Sequence, residues 1–184
     1  MTVNESWEKI ESWLGRYAPE DELPGPATQG ELDRLQERIG LQLPSDVRES
    51  LLRHNGSGLV EVIPIGYTLY DVGSIAEAYV GADGARSQQG AKPHGVAIGC
   101  LGRTQLIVDT VTGQIGKCDV EFSATGYIGS DDPLWASLGS VLEFTANVLD
   151  SPPPWIATLP GDEEWEATNE SPDFPGTLVW TEEV

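Results

Sequence analysis

Few side chains in this sequence could carry out covalent or acid–base chemistry. Nucleophilic catalysis needs a serine or cysteine beside an activating base, and the chain offers two histidines for that role, His54 and His94. His54 precedes Asn55-Gly56 at a predicted helix end, so we expect its imidazole to bond the terminal carbonyls of that helix. His94 follows Pro93 in a predicted loop without an expected partner. The sequence therefore predicts no catalytic residues and a protein that is not an enzyme.

Acidic clusters are the remaining candidates for metal binding. Asp131-Asp132 could ligate a metal or act as a carboxylate pair, but a following proline favours helix capping and first-turn dipole stabilisation. Asp162-Glu163-Glu164 lacks the alternating oxygen ligands of an EF-hand, which favours a solvated or partner-facing acidic run. Asp109, four positions before Gly113, is typical of a hairpin turn. With no phosphate-binding or dinucleotide motif either, we expect no metal and no cofactor.

The two cysteines, Cys100 and Cys118, lie in separate predicted strands. In the cytoplasm we expect reduced, buried thiols, although a disulfide or redox pair stays open as an alternative. They have no His or Cys neighbours at the spacing of a zinc site.

Charge is the strongest compositional feature. The chain has 30 acidic and 10 basic residues, a formal net charge of −20. Phosphate backbones and anionic lipids repel such a chain, so we expect no nucleic-acid or membrane partner. A basic protein is the natural complement, and solubility is the alternative reason for the acidity. The polar N-terminus has neither a basic region nor an apolar run, which predicts a cytoplasmic protein.

Helical periodicity dominates the first third of the chain and returns near its end. Three amphipathic helices are predicted, the second opened by a Thr28 capping box and the third by Ser45 or Asp46. A short helix is predicted from Ser74, and a long amphipathic helix is predicted after Asp132. Between these helices, alternation of apolar and polar residues and intervening turn residues predict five strands: 59–63, 67–72, 95–100, 104–109 and 115–122. The last three are predicted to form an antiparallel meander.

The composition shifts after Asp150, which divides the chain into a body (1–150) and a tail (151–184). The tail has no Lys or Arg but contains several aromatic residues and eight acidic ones: Asp162, Glu163, Glu164, Glu166, Glu170, Asp173, Glu182 and Glu183. A purely solvating tail would have few aromatics, so we expect it to dock at least partly on the body. The alternative is a disordered segment that folds on a partner.

The order and spacing of several motifs resemble a bacterial branch of the SUKH superfamily, which is similar to the Smi/Knr regulators of fungal cell-wall assembly. The most specific is Leu43-Pro44-x-Asp46 followed by His54-Asn55-Gly56. Gly25-Pro26-Ala27-Thr28 precedes it, and Trp135-x-Ser137-Leu138-Gly139 follows near the end of the body. The resemblance covers about residues 5–150 and leaves the tail unexplained.

The resemblance implies an α+β domain with a mostly antiparallel sheet, N-terminal helices and a long C-terminal helix packed on it. It also implies a binding role, since bacterial members are commonly immunity proteins that neutralise a toxin, whereas fungal relatives act as scaffolds. A regulatory scaffold without a toxin is therefore the alternative function. Tyrosine and tryptophan supply rigid contact area and carboxylates mimic phosphates, which selects a candidate partner-binding set: Tyr67, Tyr70, Asp131, Asp132, Asp162, Glu163, Glu164 and Trp165.

Overall fold

A computed structural model describes residues 1–79, 94–119, 134–159 and 163–182. Within these ranges the chain forms five helices and two antiparallel sheets, which confirms the predicted α+β class. The helices are α1 (Val3–Tyr17), α2 (Gln29–Ile39), α3 (Ser45–Arg53), α4 (72–79) and α5 (Leu138–Leu149). The strands are β1 (Thr68–Leu69), β2 (Gly95–Leu101), β3 (Thr104–Asp109), β4 (Ile115–Asp119), β5 (Trp155–Thr158), β6 (Glu164–Thr168) and β7 (Val179–Glu182).

Capping side chains start α1 and α2. Thr2 and Glu5 form a capping box on α1, and the predicted box between Thr28 and Glu31 is present on α2. α3 differs from the prediction, because Pro44 occupies its N-cap position and no side chain caps it. The Asp46 carboxylate instead accepts a hydrogen bond from the backbone amide of Gly139 at 2.8 Å, which joins the starts of α3 and α5.

The later helices begin at residues other than those predicted. The helix predicted from Ser74 already includes residue 72, and the backbone amide of Ser74 donates to the Asp71 carboxylate at 2.7 Å. α5 begins after Ser137, which forms a capping box with Ser140, so the predicted start after Asp132 is wrong. Trp135 instead pairs with Ile115 in an isolated β-bridge. This tertiary pairing keeps the segment before α5 extended and overrides the local helix-start signal.

Strands β1 to β4 form one antiparallel sheet in sequence order, and β2 to β4 are the predicted meander. The hairpin interpretation of Asp109 is confirmed, because its Oδ1 accepts from the amide of Val111 at 2.8 Å and Gly113 has a φ of 79°. The predicted strand at 59–63 is reduced to a single bridge between Ile63 and Tyr67, since the chain folds back on itself between them.

Strands β5, β6 and β7 come from the tail and form a second antiparallel sheet. Trp155 on β5 is 8% exposed and meets the ring of Trp13 edge-on, with centroids 5.0 Å apart. Trp180 on β7 is also buried, and its indole Nε1 donates to the backbone carbonyl of Glu61 at 2.7 Å. The described part of the tail is thus folded against the body.

A single hydrophobic core joins the helices to both sheets. α5 packs along α1, and its buried Leu142 belongs to the same cluster as Leu106 of the first sheet. Trp7, a member of this cluster, is fully buried, and its Nε1 donates to Ser50 Oγ at 3.1 Å. The indole nitrogen is therefore satisfied inside the core and also links α1 to α3.

Candidate partner-binding site

The two tyrosines of the predicted binding set lie on either side of β1. Tyr67 is 2% exposed and belongs to the core, which corrects the expectation that it lies on the surface. Tyr70 is half-buried and packs against the core. Burial, with a hydrogen bond to Cys100, raises the pKa of Tyr70 to about 12. Both rings therefore contribute mainly to packing.

The acidic–aromatic residues of the set lie at the second sheet where they are described. Glu163 and Glu164 are exposed at the start of β6. Trp165 is half-buried, packs against the core, and has an enclosed indole Nε1 without a hydrogen-bond partner. Asp131, Asp132 and Asp162 lie outside the described residues. The described members are thus divided between two sheets, and their role in partner binding stays a prediction.

The cysteines flank the same residue of β3. Gln105 pairs with Cys100 on one side and with Cys118 on the other. Two strand spacings of about 4.8 Å put the Cα atoms roughly 9–10 Å apart, beyond the reach of about 7 Å for a disulfide. Neither cysteine forms a disulfide, and this sheet cannot hold the two as a bonded pair.

His54 belongs to a polar network that joins α1, α3 and the turn before α2. Glu11 accepts two hydrogen bonds from Arg53, at 2.8 and 2.7 Å, and its Oε1 lies 2.7 Å from His54 Nε2. The other ring nitrogen, Nδ1, lies 2.7 Å from the backbone carbonyl of Pro24. This corrects the expectation that the imidazole bonds the carbonyls of its own helix. Both ring nitrogens are therefore hydrogen-bonded, and the imidazole links three segments of the chain.

We expect Glu11→Gln to lower the free energy of unfolding by about 1–2 kcal/mol at pH 7, because the ion pair with Arg53 is only partly exposed. The hydrogen bonds from Arg53, aided by His54 and opposed by burial, lower the pKa of Glu11 below its ordinary 4.5. The contribution is therefore present above about pH 4.5 and is lost as the pH falls through the lowered folded-state pKa.

Urea denaturation of both proteins between about pH 3 and pH 7 measures this difference. The control is Glu37→Gln, which removes an exposed carboxylate from α2. A wild-type advantage that stays constant down to pH 3 would contradict the assignment to the ionised Glu11.

A groove of about 650 Å³ lies between the body and the tail. Three separate segments form it: 20–22 after α1, 58–61 after α3, and 174–179 before and at the start of β7. We call it the acidic–apolar groove, and its lining residues are Glu20, Asp21, Glu22, Gly58, Leu59, Val60, Glu61, Phe174, Thr177, Leu178 and Val179.

Two large apolar side chains in this groove are open to solvent. Leu59 is 95% exposed and Phe174 is 62% exposed, whereas the neighbouring Leu178 is buried. Single exposed apolar residues are ordinary on protein surfaces, but here two of them line one concavity. The apolar surface of these two side chains is therefore in contact with water, and a side chain of a partner could cover it.

Carboxylates surround these apolar residues. Asp21 Oδ2 accepts from the Leu178 amide at 2.7 Å, yet burial outweighs this bond and raises the pKa of Asp21. Burial also raises the pKa of Glu61, and the charge of Asp21 adds to the shift. Among the described residues that line the groove, none is Lys, Arg or His. Its half-buried negative charges thus lack a cation within the groove, and an external cation would stabilise their ionised forms.

Backbone hydrogen bonds between body and tail fix the walls of the groove. The Glu20 amide donates to the Gly176 carbonyl at 3.2 Å, and Trp180 donates to the Glu61 carbonyl at 2.7 Å. Sequence reasoning missed the site because its three segments are far apart in the chain. The available signals were Leu59 beside Gly58 and Phe174 within a Pro/Gly turn, where an apolar residue has little to pack against.

Other site classes find little support in the part of the chain that the structure describes. No group of three His, Cys, Asp or Glu side chains there could hold a metal ion. None of the helices in the same ranges has the length and apolar character needed to span a bilayer.

Comparison with known proteins gives one family. The sequence model of the SMI1/KNR4 family (SUKH-1) matches residues 26–143. A KNR4/SMI1 homolog of Yarrowia lipolytica is 40% identical over 83 residues, which are 42% of this chain and 12% of that protein. The cell wall biosynthesis/cell cycle regulator smi1 of Schizosaccharomyces pombe is 38% identical over 80 residues, which are 41% of this chain and 16% of that protein.

KNR4/SMI1 homolog 2 of Debaryomyces hansenii is 32% identical over 84 residues, which are 14% of that protein. All three matches therefore span only a small part of the fungal relatives. The family match nevertheless covers most of the body and includes the Leu43-Pro44 and Asn55-Gly56 motifs. The predicted membership of the SUKH superfamily is confirmed. This chain belongs to the SMI1/KNR4 (SUKH-1) family.

Proposed function

We propose that the chain is a non-catalytic binding module of the cytoplasm that neutralises a basic toxin domain, such as a nuclease, by direct binding. The observation that carries the proposal is the net charge of −20. It is accompanied by a groove of apolar side chains and carboxylates whose lining residues include no Lys, Arg or His. A surface of this kind favours a basic protein over nucleic acid or anionic lipid.

The physical advantage lies in both the rate and the strength of association. Complementary fields steer a basic partner toward an acidic surface and raise the association rate, an effect that salt screens. A toxin that acts on nucleic acid carries a positive substrate groove, and carboxylates compete for such a groove because they resemble phosphates electrostatically. Binding alone can then block the toxin, with no chemistry required of this chain.

The test is a pull-down of the tagged chain from its native cytoplasm at about 50 mM and about 500 mM salt, with mass spectrometry of the eluate. We expect one dominant basic protein, held at nanomolar strength at low salt and at least tenfold more weakly at high salt. Recovery of diffuse housekeeping proteins, or of an acidic partner insensitive to salt, would contradict the proposal.

A regulatory scaffold is the second candidate function. It is favoured by the fission-yeast relative, which is named as a regulator of cell wall biosynthesis and the cell cycle. A scaffold would retain several unrelated stable partners, none of them toxic when produced alone. The same pull-down therefore separates the two functions.

A further inference from the structure

We infer that the acidic–apolar groove is the docking surface for a partner segment that presents an apolar side chain flanked by lysine or arginine. The inference rests on the proposed function, because it names where and through what chemistry the basic partner binds. Its two parts, an apolar anchor and a cationic flank, follow from different observations.

The apolar anchor follows from Leu59 and Phe174. Both side chains are open, at 95% and 62% exposed, and they line one concavity. An apolar side chain that enters this concavity removes apolar area from water on both partners, which is the main favourable term in most associations. Aromatic residues in such pockets are frequent energetic centres of interfaces. We expect Phe174 to contribute most of the binding energy in this groove.

The cationic flank follows from the carboxylates around that anchor. Glu20 and Glu22 are exposed, whereas Asp21 and Glu61 are half-buried and carry pKa values that burial raises. A lysine or arginine beside them would supply the opposite charge that the described lining lacks. A second copy of this chain is a poor occupant, because it would bring a net charge of −20 to the same place.

The position of the groove relative to the family match supports the assignment. Two of its three walls, 20–22 and 174–179, lie outside the matched region 26–143. The exposed side chains of these walls, Glu20, Glu22 and Phe174, can change what the groove binds without altering the buried core.

The experiment uses the full chain and two synthetic probes, a capped peptide of alternating leucine and lysine and a matched peptide with serine in place of leucine. Titration calorimetry gives affinities, and amide chemical shifts locate the bound peptide. The groove variants are Leu59→Ser with Phe174→Ser, and Glu20→Gln with Glu22→Gln. Their controls are Val111→Ser, an exposed apolar residue on another turn, and Glu37→Gln with Glu49→Gln, which removes the same charge from α2 and α3.

We expect the leucine–lysine peptide to shift amides of 58–61 and 174–179. The apolar variant should weaken its binding at least about 30-fold and the charge variant about fivefold, with both controls within about twofold. Equal losses in groove and control variants, or no preference for the leucine peptide, would overturn the groove assignment. A dimer of the wild-type chain that the apolar variant dissolves would overturn it as well, because the occupant would be a second copy.

The same variants, tested with the protein captured in the pull-down, separate the two proposals. A captured basic protein whose affinity the groove variants leave unchanged would overturn the groove and leave the function standing. Groove-specific peptide binding without any basic partner in the pull-down would overturn the function and support the groove chemistry.

Discussion

Replacement of Gly56 by alanine is expected to lower the free energy of unfolding by about 3 kcal/mol or more. Gly56 has a φ of +79°, and an added Cβ would lie 2.7 Å from the Asp71 amide nitrogen and 2.8 Å from the Leu69 carbonyl oxygen. The left-handed conformation alone costs an L-residue roughly 1–2 kcal/mol. The contacts are with backbone atoms, so relief requires a shift of the segment that contains β1, which adds a cost typical of overpacking, roughly 1–3 kcal/mol.

Gly102→Ala is the matched control for this prediction. Gly102 has a φ of +56°, but nothing lies within 4 Å of its added Cβ. Urea denaturation should show a loss of about 1 kcal/mol for this variant, and the difference between the two measures the close approach at Gly56. Equal losses in the two variants would contradict the argument.

The family motif around Gly56 is therefore architectural. The backbone amide of Asn55 donates to the Gly25 carbonyl at 2.9 Å. The side-chain Oδ1 of Asn55 accepts a hydrogen bond from the backbone amide of Val72 at 3.0 Å. Asp46, from the preceding motif, caps the start of α5 at Gly139. These residues join separate elements of the fold, which explains why they identify the family and say little about the partner.

The second large effect is expected at Trp180, where Trp180→Ala should lower the free energy of unfolding by about 3–4 kcal/mol. The side chain is 5% exposed and belongs to the common core, and its Nε1 holds the Glu61 carbonyl at 2.7 Å. The substitution removes a large buried ring and also leaves that carbonyl without its donor. Urea denaturation monitored by far-UV circular dichroism measures the change.

Phe174→Ala is the control for Trp180, because this tail residue is 62% exposed. It should change stability by no more than about 0.5 kcal/mol, as surface substitutions usually do. A similarly small effect of Trp180→Ala would contradict the view that the tail sheet and the body share one core.

The parts of the fold predicted from sequence are those with strong local signals. α2 is bounded by a capping box and a left-handed glycine, and the meander has turns that Asp109 and Gly113 specify by themselves. The predictions are wrong where a contact with a residue distant in the sequence determines the local structure. Trp135 pairs with Ile115 and delays α5, and Tyr67 folds back on Ile63 and becomes buried.

The candidate site lay beyond sequence reasoning for the same reason. Residue type indicates aromatic and acidic residues as candidates, but exposure depends on packing, and Tyr67 is buried. The sequence does not indicate Leu59 and Phe174, because nothing local shows that two apolar residues so far apart line one groove. It predicts that His54 bonds the carbonyls of its own helix, whereas Glu11 and Pro24 hold the ring from other segments.

Neutralisation of a toxin is tested by the growth of cells that produce the captured basic protein, alone or together with this chain. We expect the captured protein alone to stop growth, the wild-type chain to restore growth, and the Leu59→Ser/Phe174→Ser variant to fail to restore growth although it is folded. A captured protein that is harmless alone, or that stays toxic while bound to the wild-type chain, would contradict the claim that this chain neutralises a toxin by direct binding.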